Sequence, residues 1–331
     1  MRLLICYGTR PEWIKIKPII VKIKGIIDYK ILFTGQQEDI GKFDYDYNIC
    51  IDYNSENRLN NIICSILMNF KNYNFSHVLI QGDTATAYAI ALSSFNNNKK
   101  IIHLEAGLRT YDIENPYPEE AYRQMISRIS DINFCPTNEN KNNLINEKVK
   151  GEIYVVGNTI IDSLVKFKSI SYNDNILITL HRRENHIIIN DWFLAIKEIS
   201  EQYKNLNFIL FKHPNPYVSS HYNIFKNSNV NIVEPINHDE MIDYISNCKL
   251  IISDSGGLQE EASYFNKKII VCRKITERPE TIGTNSFLCD TPKDLNSIFK
   301  NHIFNYKVNN NCPYGDGYSS DKILEILKKI K

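Results

Sequence analysis

Three carboxylates in the first half of the chain, Asp83, Glu105 and Glu119, stand where side chains meet ligands. Asp83 and Glu105 each follow a short apolar run, 78–81 and 101–104, that reads as a buried strand. Strands alternating with helices form parallel βαβ units, so their carboxyl ends share one sheet edge, where ligands bind. Glu119 follows Asn115-Pro116-Tyr117-Pro118, an extended stretch that enters a helix with Pro118 in its first position. Carboxylates in a first helical turn also simply favour the dipole, and Glu119 and Arg123 stand four apart like an ordinary surface pair. Yet the preceding segment carries Glu105 and Arg109 and has to return over the same edge. The three carboxylates are therefore expected to converge. Near them Gly8-Thr9-Arg10-Pro11-Glu12 opens the first helix, with Arg10 at the turn and Lys15 one turn inside. Two cations there suit a phosphate or diphosphate, although Lys15 equally fits a solvated face. The turn lacks the Gly-x-Gly-x-x-Gly pattern, so nothing argues for a dinucleotide.

The second half carries a different chemistry. A strand-like run, 249–252, leads into Ser253-Asp254-Ser255-Gly256-Gly257, and a helix follows from Leu258. A strand, a glycine turn and a helix N-terminus leave outward N–H groups and a positive dipole end, which suit a phosphate. Glu261, a turn inside, is placed to accept hydrogen bonds from vicinal hydroxyls such as those of a ribose. The plainer reading makes Ser255 a cap and Glu261 a solvated residue. His181, with Arg182 and Arg183, closes the run 176–180, and His213 closes 208–211. A lone histidine is more often structural, but two on one edge beside a phosphate-type turn point to function. No segment shows the ligand spacing of a zinc site.

These groups need a scaffold, and 331 residues leave room for two domains. The 39 basic and 38 acidic residues nearly cancel, so there is no global field for nucleic acid or an anionic membrane. No apolar run is long enough to span a bilayer, and the N-terminus shows no signal-peptide pattern. The eight cysteines are scattered without a Cys-x-x-Cys pair, as free thiols of a reducing, cytoplasmic compartment would be. Residues 35–57 read as loop with room for a short helix. The strand–helix alternation stops at a polar linker, 169–175, and then restarts. The expectation is an α/β protein of two doubly wound, Rossmann-like domains facing a cleft. The first is 1–166, joined by the returning terminal helix 318–331, and the second is 167–317.

Taken in order, several stretches carry a resemblance: Gly8-Thr9-Arg10-Pro11-Glu12, Gly82-Asp83-Thr84, His103-Leu104-Glu105-Ala106-Gly107-Leu108-Arg109 and Pro118-Glu119-Glu120 with Arg123. Gly157-Asn158-Thr159-Ile160-Ile161-Asp162, His181-Arg182-Arg183-Glu184, 253–262 and Glu277-Arg278-Pro279-Glu280 continue it. Together they resemble the non-hydrolysing UDP-N-acetylglucosamine 2-epimerase family over essentially the whole chain. The resemblance implies a glycosyltransferase-B-like fold whose second domain binds UDP, interconversion of UDP-GlcNAc and UDP-ManNAc, no metal or other cofactor, and a homodimer. It also implies a supply of activated sugar for surface polysaccharide or glycan synthesis. Asp83, Glu105, Glu119 and His181 fall on the family's acid/base and charge-stabilising positions, and Lys15 and Arg123 on further active-site positions. Arg10, His213, Ser255, Gly256, Gly257 and Glu261 fall on UDP-contacting ones. In the family, anti elimination gives UDP and 2-acetamidoglucal, and readdition with a proton on the other face inverts C2.

One region departs from the pattern. Where bacterial members read Gln-His-Arg, with an arginine in the next helix, this chain has Gln36-Gln37-Glu38-Asp39 and Ser65. Those positions contribute to a second, allosteric UDP-GlcNAc site in the family, so activation through such a site is in doubt. A different sugar substituent, a hydrolysing epimerase, a UDP-sugar glycosyltransferase and a sugar-nucleotide-binding protein without chemistry are the rival readings. The intact Gly-Thr-Arg-Pro-Glu start argues against the hydrolysing branch, and the full carboxylate set argues against a mere binder.

Overall fold

Runs of isoleucine, leucine and valine bounded by polar turns become the strands of two parallel sheets. The computed structural model describes residues 1–37, 44–71, 73–167 and 170–330. Two units form, Met1–Ser163 with Tyr314–Lys331 and Leu164–Pro313. The first runs β1 (Arg2–Tyr7), α1 (Arg10–Ile23), β2 (Asp28–Phe33), β3 (Tyr47–Asn48), α2 (Arg58–Asn69), β4 (His77–Gln81) and α3 (Ala85–Asn96). It continues with β5 (Lys100–Leu104), α4 (Glu119–Ile129), β6 (Ile132–Cys135), α5 (Asn138–Asn146), β7 (Glu152–Val155) and α6 (Thr159–Leu164). Its strands lie in the order β3-β2-β1-β4-β5-β6-β7, all parallel. Successive strand residues point to opposite faces, and both faces are covered. Leu3, Ile5 and Tyr7 of β1 pack with Trp13, Ile16 and Ile19 of α1. Leu4 and Cys6 pack on the other side with Ile62 and Ile66 of α2 and Ile126 of α4. That is why β1 reads as an unbroken apolar run rather than an alternating one.

The second unit runs β8 (Asn175–Thr179), α7 (Ile189–Gln202), β9 (Asn207–Phe211), α8 (Pro216–Ser219), β10 (Val230–Val233), α9 (His238–Asn247) and β11 (Leu250–Ser253). It ends with α10 (Gly256–Tyr264), β12 (Lys268–Val271), β13 (Ser286–Leu288) and α11 (Leu295–Ile303). Its strand order is β10-β9-β8-β11-β12-β13, again parallel throughout. Its core gathers Ile176 and Ile178, Trp192, Phe193 and Ile196, Phe208, Ile252, and Leu295, Phe299 and Ile303. In each sheet the order reverses between two neighbouring strands, β1 and β4 in one, β8 and β11 in the other. Such a switch point is where an open α/β sheet offers a crevice to a ligand.

The last helix, α12 (Ser319–Leu327), belongs to the first unit, where Ile323, Leu324 and Leu327 complete the core under α1. Asp162 caps it, accepting from Ser319 N at 3.0 Å and Ser320 N at 2.7 Å. A Cβ on Gly157 would lie 2.5 Å from Ser319 Oγ, and the residue holds φ +92, so only glycine lets the two segments meet. Among the described residues no helix is long and apolar enough to cross a membrane.

The expected loop at 35–57 holds a short strand, β3, because Tyr47 and Asn48 find partners in Leu32 and Phe33. Two residues are too few to show a period in sequence. Likewise β13 is three residues long, whereas α11 left a readable spacing of four between Leu295, Phe299 and Ile303.

Lys267 sits fully buried just before β12, donating to the Ser171 and Cys248 carbonyls (2.9 Å to the latter) and lying 3.7 Å over the Tyr172 ring. Burial pulls its pKa down from 10.5 to about 8. A lysine whose folded pKa lies below its unfolded one burdens the fold while both states are protonated, and that burden lifts as pH rises between the two values. Wild-type stability relative to a Lys267→Met variant should therefore climb from pH 8 to pH 10.5 in denaturant titrations. A constant difference would show that the ammonium carries no such penalty.

Candidate functional site

In the first unit the switch point is tied by one carboxylate. Thr9 caps α1 in a capping box with Glu12. Glu12 Oε2 accepts from Gly8 N at 2.8 Å, Thr9 N at 2.7 Å and Thr9 Oγ1 at 2.9 Å, and Oε1 accepts from Thr84 Oγ1 at 2.6 Å. The β1 and β4 turns are thereby joined. Burial pushes the Glu12 carboxyl above its ordinary pKa, against the pull of these hydrogen bonds. Gly8 is required here, since a Cβ would lie 2.1 Å from Thr86 Oγ1 and 2.4 Å from Thr34 Oγ1. Half-buried Arg10 starts α1, its backbone N–H donating to Gln37 Oε1 at 3.1 Å.

On the same edge Glu105 follows β5 in the left-handed region, φ +66, an unusual conformation for a glutamate. Its Oε2 accepts from both Lys15 Nζ and Gln81 Nε2, and its side chain is 4% exposed. Lys15 is therefore not a solvated helix residue. Asp83, after β4, accepts from Arg123 Nε at 2.7 Å, and Arg123 Nη1 donates to Glu120 Oε2 at 3.0 Å. Glu120 is fully buried and also takes Thr110 N at 3.0 Å and Tyr111 N at 3.2 Å, so it holds the incoming loop. Arg109 is spent on Glu147, at 2.7 and 3.0 Å, and on Ser127 Oγ at 2.7 Å. Glu119 is half-buried at the start of α4, on the same face as Arg123, with Pro118 as the N-cap rather than the first helical residue. The peptides before Pro116 and Pro118 are both cis. His103 Nε2 donates to the Gly82 carbonyl at 2.8 Å, and burial lowers the ring's pKa to about 4.

In the second unit Asp254 performs the corresponding service. Wholly buried after β11, it accepts from His181 N at 2.9 and 3.1 Å, Arg182 N at 2.8 Å and Asn185 Nδ2 at 3.0 Å. Asn185 also donates to the Cys272 carbonyl at 3.0 Å, so three strand ends are bound together. The His181 ring stacks on His213, centroids 4.8 Å apart and planes 8° apart. Burial lowers both; Asp254 opposes the shift at His181, and His213 falls to about 4. Asn215 N donates to His213 Nδ1 at 3.2 Å, which leaves the ring proton on Nε2.

Ser255 is the N-cap of α10, but its hydroxyl makes no cap hydrogen bond. The first N–H groups of that helix therefore lack a side-chain acceptor, the arrangement that receives an anion. A Cβ on Gly256 would come within 2.6 Å of Arg278 Nη1 and 2.7 Å of Glu277 Oε1. Glycine thus lets a buried guanidinium approach the helix end. Arg278 is held by Glu260 at 2.8 Å and by Glu277, which also accepts from Arg273 Nη1 at 3.0 Å. Glu261 is nearly buried, and its Oε1 accepts from His238 Nε2 at 3.0 Å.

The structure pairs Lys15 with Glu105, Asp83 with Arg123 and His181 with His213, and it sets Ser255, Gly256 and Gly257 at one helix end. Gln81, Asp254, His238 and the Arg273–Glu277–Arg278 cluster were not assigned to the site from sequence, although Asp254 stands in the Ser-Asp-Ser-Gly-Gly stretch and Glu277 and Arg278 in Glu-Arg-Pro-Glu. Of the positions that depart from the family pattern, Gln37 receives the Arg10 amide, and buried Ser65 Oγ receives the Asp52 amide at 2.8 Å. Glu38 and Asp39 lie outside the described residues. Among the described residues no group of three or more His, Cys, Asp or Glu side chains is arranged to hold a metal ion.

Residues 23–328 match the UDP-N-acetylglucosamine 2-epimerase family. The UDP-N-acetylglucosamine 2-epimerase of Neisseria meningitidis serogroup A is 34% identical over 370 residues, covering 99% of this chain and 100% of the relative. That of Campylobacter jejuni is 36% identical over 386 residues, covering 100% and 98%. Among solved structures, UDP-GlcNAc 2-epimerase from Neisseria meningitidis bound to UDP-GlcNAc superposes with a TM-score of 0.92, at 32% identity and full coverage of both chains. The Methanocaldococcus jannaschii enzyme in complex with UDP-GlcNAc and UDP gives 0.86, at 31% identity and 99% coverage of each. The wall teichoic acid polymerase TagF, 11% identical with a TM-score of 0.56, shares the fold alone.

Proposed function

The chain belongs to the UDP-N-acetylglucosamine 2-epimerase family of isomerases, and we propose that it interconverts UDP-GlcNAc and UDP-ManNAc by reversible inversion at C2. The observation that carries this reading is the uncapped N-terminus of α10 with Arg278 against it, a diphosphate cradle in a chain that also holds Asp83, Glu105 and Glu119 at element ends. The C2 hydrogen of the sugar has no adjacent carbonyl to acidify it, so breaking the bond from C1 to UDP assists its removal. A base takes the C2 proton, the C1–O electron pair leaves with UDP, and C1=C2 forms in 2-acetamidoglucal. A proton delivered to the opposite face of C2 and return of the UDP oxygen to C1 complete the inversion. Electrons balance without an oxidant or reductant.

Asp83, Glu105 and Glu119 supply the acid and base groups and stabilise positive charge at C1, with His181 as a further proton carrier. Lys15 and Arg123 orient Glu105 and Asp83. The α10 N–H groups, the Ser255 hydroxyl, Arg278 and Arg10 take the diphosphate. His213 contacts the nucleotide, and Glu261 accepts the ribose hydroxyls. The working species is a homodimer in the cytoplasm; free cysteines throughout suit that compartment.

Asp83→Asn, Glu105→Gln and Glu119→Gln should each lower turnover at least ~10²-fold when UDP-ManNAc formation from UDP-GlcNAc is followed by NMR. Near-normal turnover in any one removes that residue from the chemistry, and free ManNAc with UDP would replace the reading by a hydrolysing one.

No second-site activation is part of this reading. Gln36 Oε1 accepts from Thr86 N at 2.9 Å, so Gln36, Gln37 and Ser65 all satisfy the protein's own backbone amides. A diphosphate site without its cations forfeits charge-assisted hydrogen bonds of roughly 1.5–3 kcal/mol each. Rate against UDP-GlcNAc concentration should be hyperbolic, and UDP-ManNAc alone should react. A sigmoidal curve, or a reverse reaction that needs added UDP-GlcNAc, would show a working activator site.

A further inference from the structure

Glu261 carries a contact that proton transfer at C2 does not need. His238, the first residue of α9, donates through Nε2 to Glu261 Oε1 at 3.0 Å. The histidine is itself fixed in place: Asn237 caps α9, accepting from Glu240 N at 3.0 Å, while Glu240 Oε2 accepts from Asn237 N at 3.1 Å. The side chains are 22% and 9% exposed, so the pair lies just under the surface with the carboxylate deeper. Glu261 Oε2 accepts no hydrogen bond from any described residue, and it is not sealed from solvent. One oxygen is therefore held by the imidazole, and the other is left to solvent or a ligand.

We infer that His238 is a positioning residue that aims the Glu261 carboxylate at the ribose hydroxyls and so selects ribonucleotide over 2′-deoxyribonucleotide. This rests on the reading of Glu261 as the ribose acceptor. A glutamate side chain left to itself samples several rotamers, and ordering it on binding costs affinity. With Oε1 held by the imidazole, Oε2 waits in one orientation. A 2′-hydroxyl meets that oxygen without further ordering, and a sugar that lacks it forgoes a hydrogen bond to a charged group. Removing His238 frees the carboxylate to sample other rotamers, so UDP binding again carries the ordering cost, while a 2′-deoxy sugar, which makes no such bond, is little affected.

Calorimetric titration of the full chain with UDP and with 2′-deoxy-UDP tests this in wild type, His238→Leu, His238→Gln and Glu261→Ala. Wild type should prefer UDP by about tenfold or more, the size expected for one hydrogen bond to a charged group. His238→Leu should cut that preference at least about threefold through weaker UDP binding, with 2′-deoxy-UDP little changed. His238→Gln, whose amide still donates, should keep most of it. If Glu261→Ala removes the preference and His238→Leu leaves it intact or weakens both nucleotides equally, the positioning role is overturned and the ribose reading stands. If Glu261→Ala leaves the preference intact, the ribose reading fails and the positioning role falls with it.

Discussion

Parallel sheets end on rows of backbone N–H and carbonyl groups, and at a switch point two neighbouring turns diverge and leave some of them without a partner. In both units a single buried carboxylate meets that constraint. Glu12 gathers the Gly8 and Thr9 amides and the Thr84 hydroxyl, joining the β1 and β4 turns. Asp254 gathers the His181 and Arg182 amides and the Asn185 side chain, joining the β8 and β11 turns. A buried acid is costly to desolvate, and several donors aimed at it compensate that cost. Arg10, Asp83, His181 and Ser255 stand on the turns so fixed.

The same distinction sorts the acids of the first unit. Glu12 and Glu120 each accept from two backbone N–H groups as well as from side chains, and so hold loops in place. Asp83 and Glu105 instead meet side-chain donors, Arg123 for one and Lys15 with Gln81 for the other. Side-chain partners rearrange as a ligand arrives, and backbone partners do not. Glu105 also bears a left-handed backbone that its neighbours must enforce, a feature that gathers at working sites. In the second unit the recurring device is a helix start left open, with Gly256 admitting Arg278 to its mouth.

Much of this was legible in the sequence, because its signals are local. Apolar runs such as 3–7 and 250–253 mark strands buried on both faces, and the glycines after them mark turns. The tandem α/β class followed from their alternation. What was not legible depends on partners distant in the chain. Lys15 and Glu105 are ninety residues apart, and only the fold makes them a pair. Asp254 sits inside a motif read for its serine and glycines, yet its partners lie seventy residues upstream. The Gly157-to-Asp162 stretch matched the family pattern without revealing its task, which is to dock and cap α12. A two-residue strand such as β3 has no period to detect.

The central claim is that the C2–H bond of the sugar breaks and re-forms while the UDP group departs and returns. Incubating the protein with UDP-GlcNAc in deuterated water and following C2 by NMR tests it most directly. The account predicts UDP-ManNAc carrying deuterium at C2, with deuterium also entering the remaining UDP-GlcNAc as the reaction runs backward. UDP-ManNAc that keeps its original hydrogen at C2, or a sugar nucleotide that stays unchanged, would contradict it.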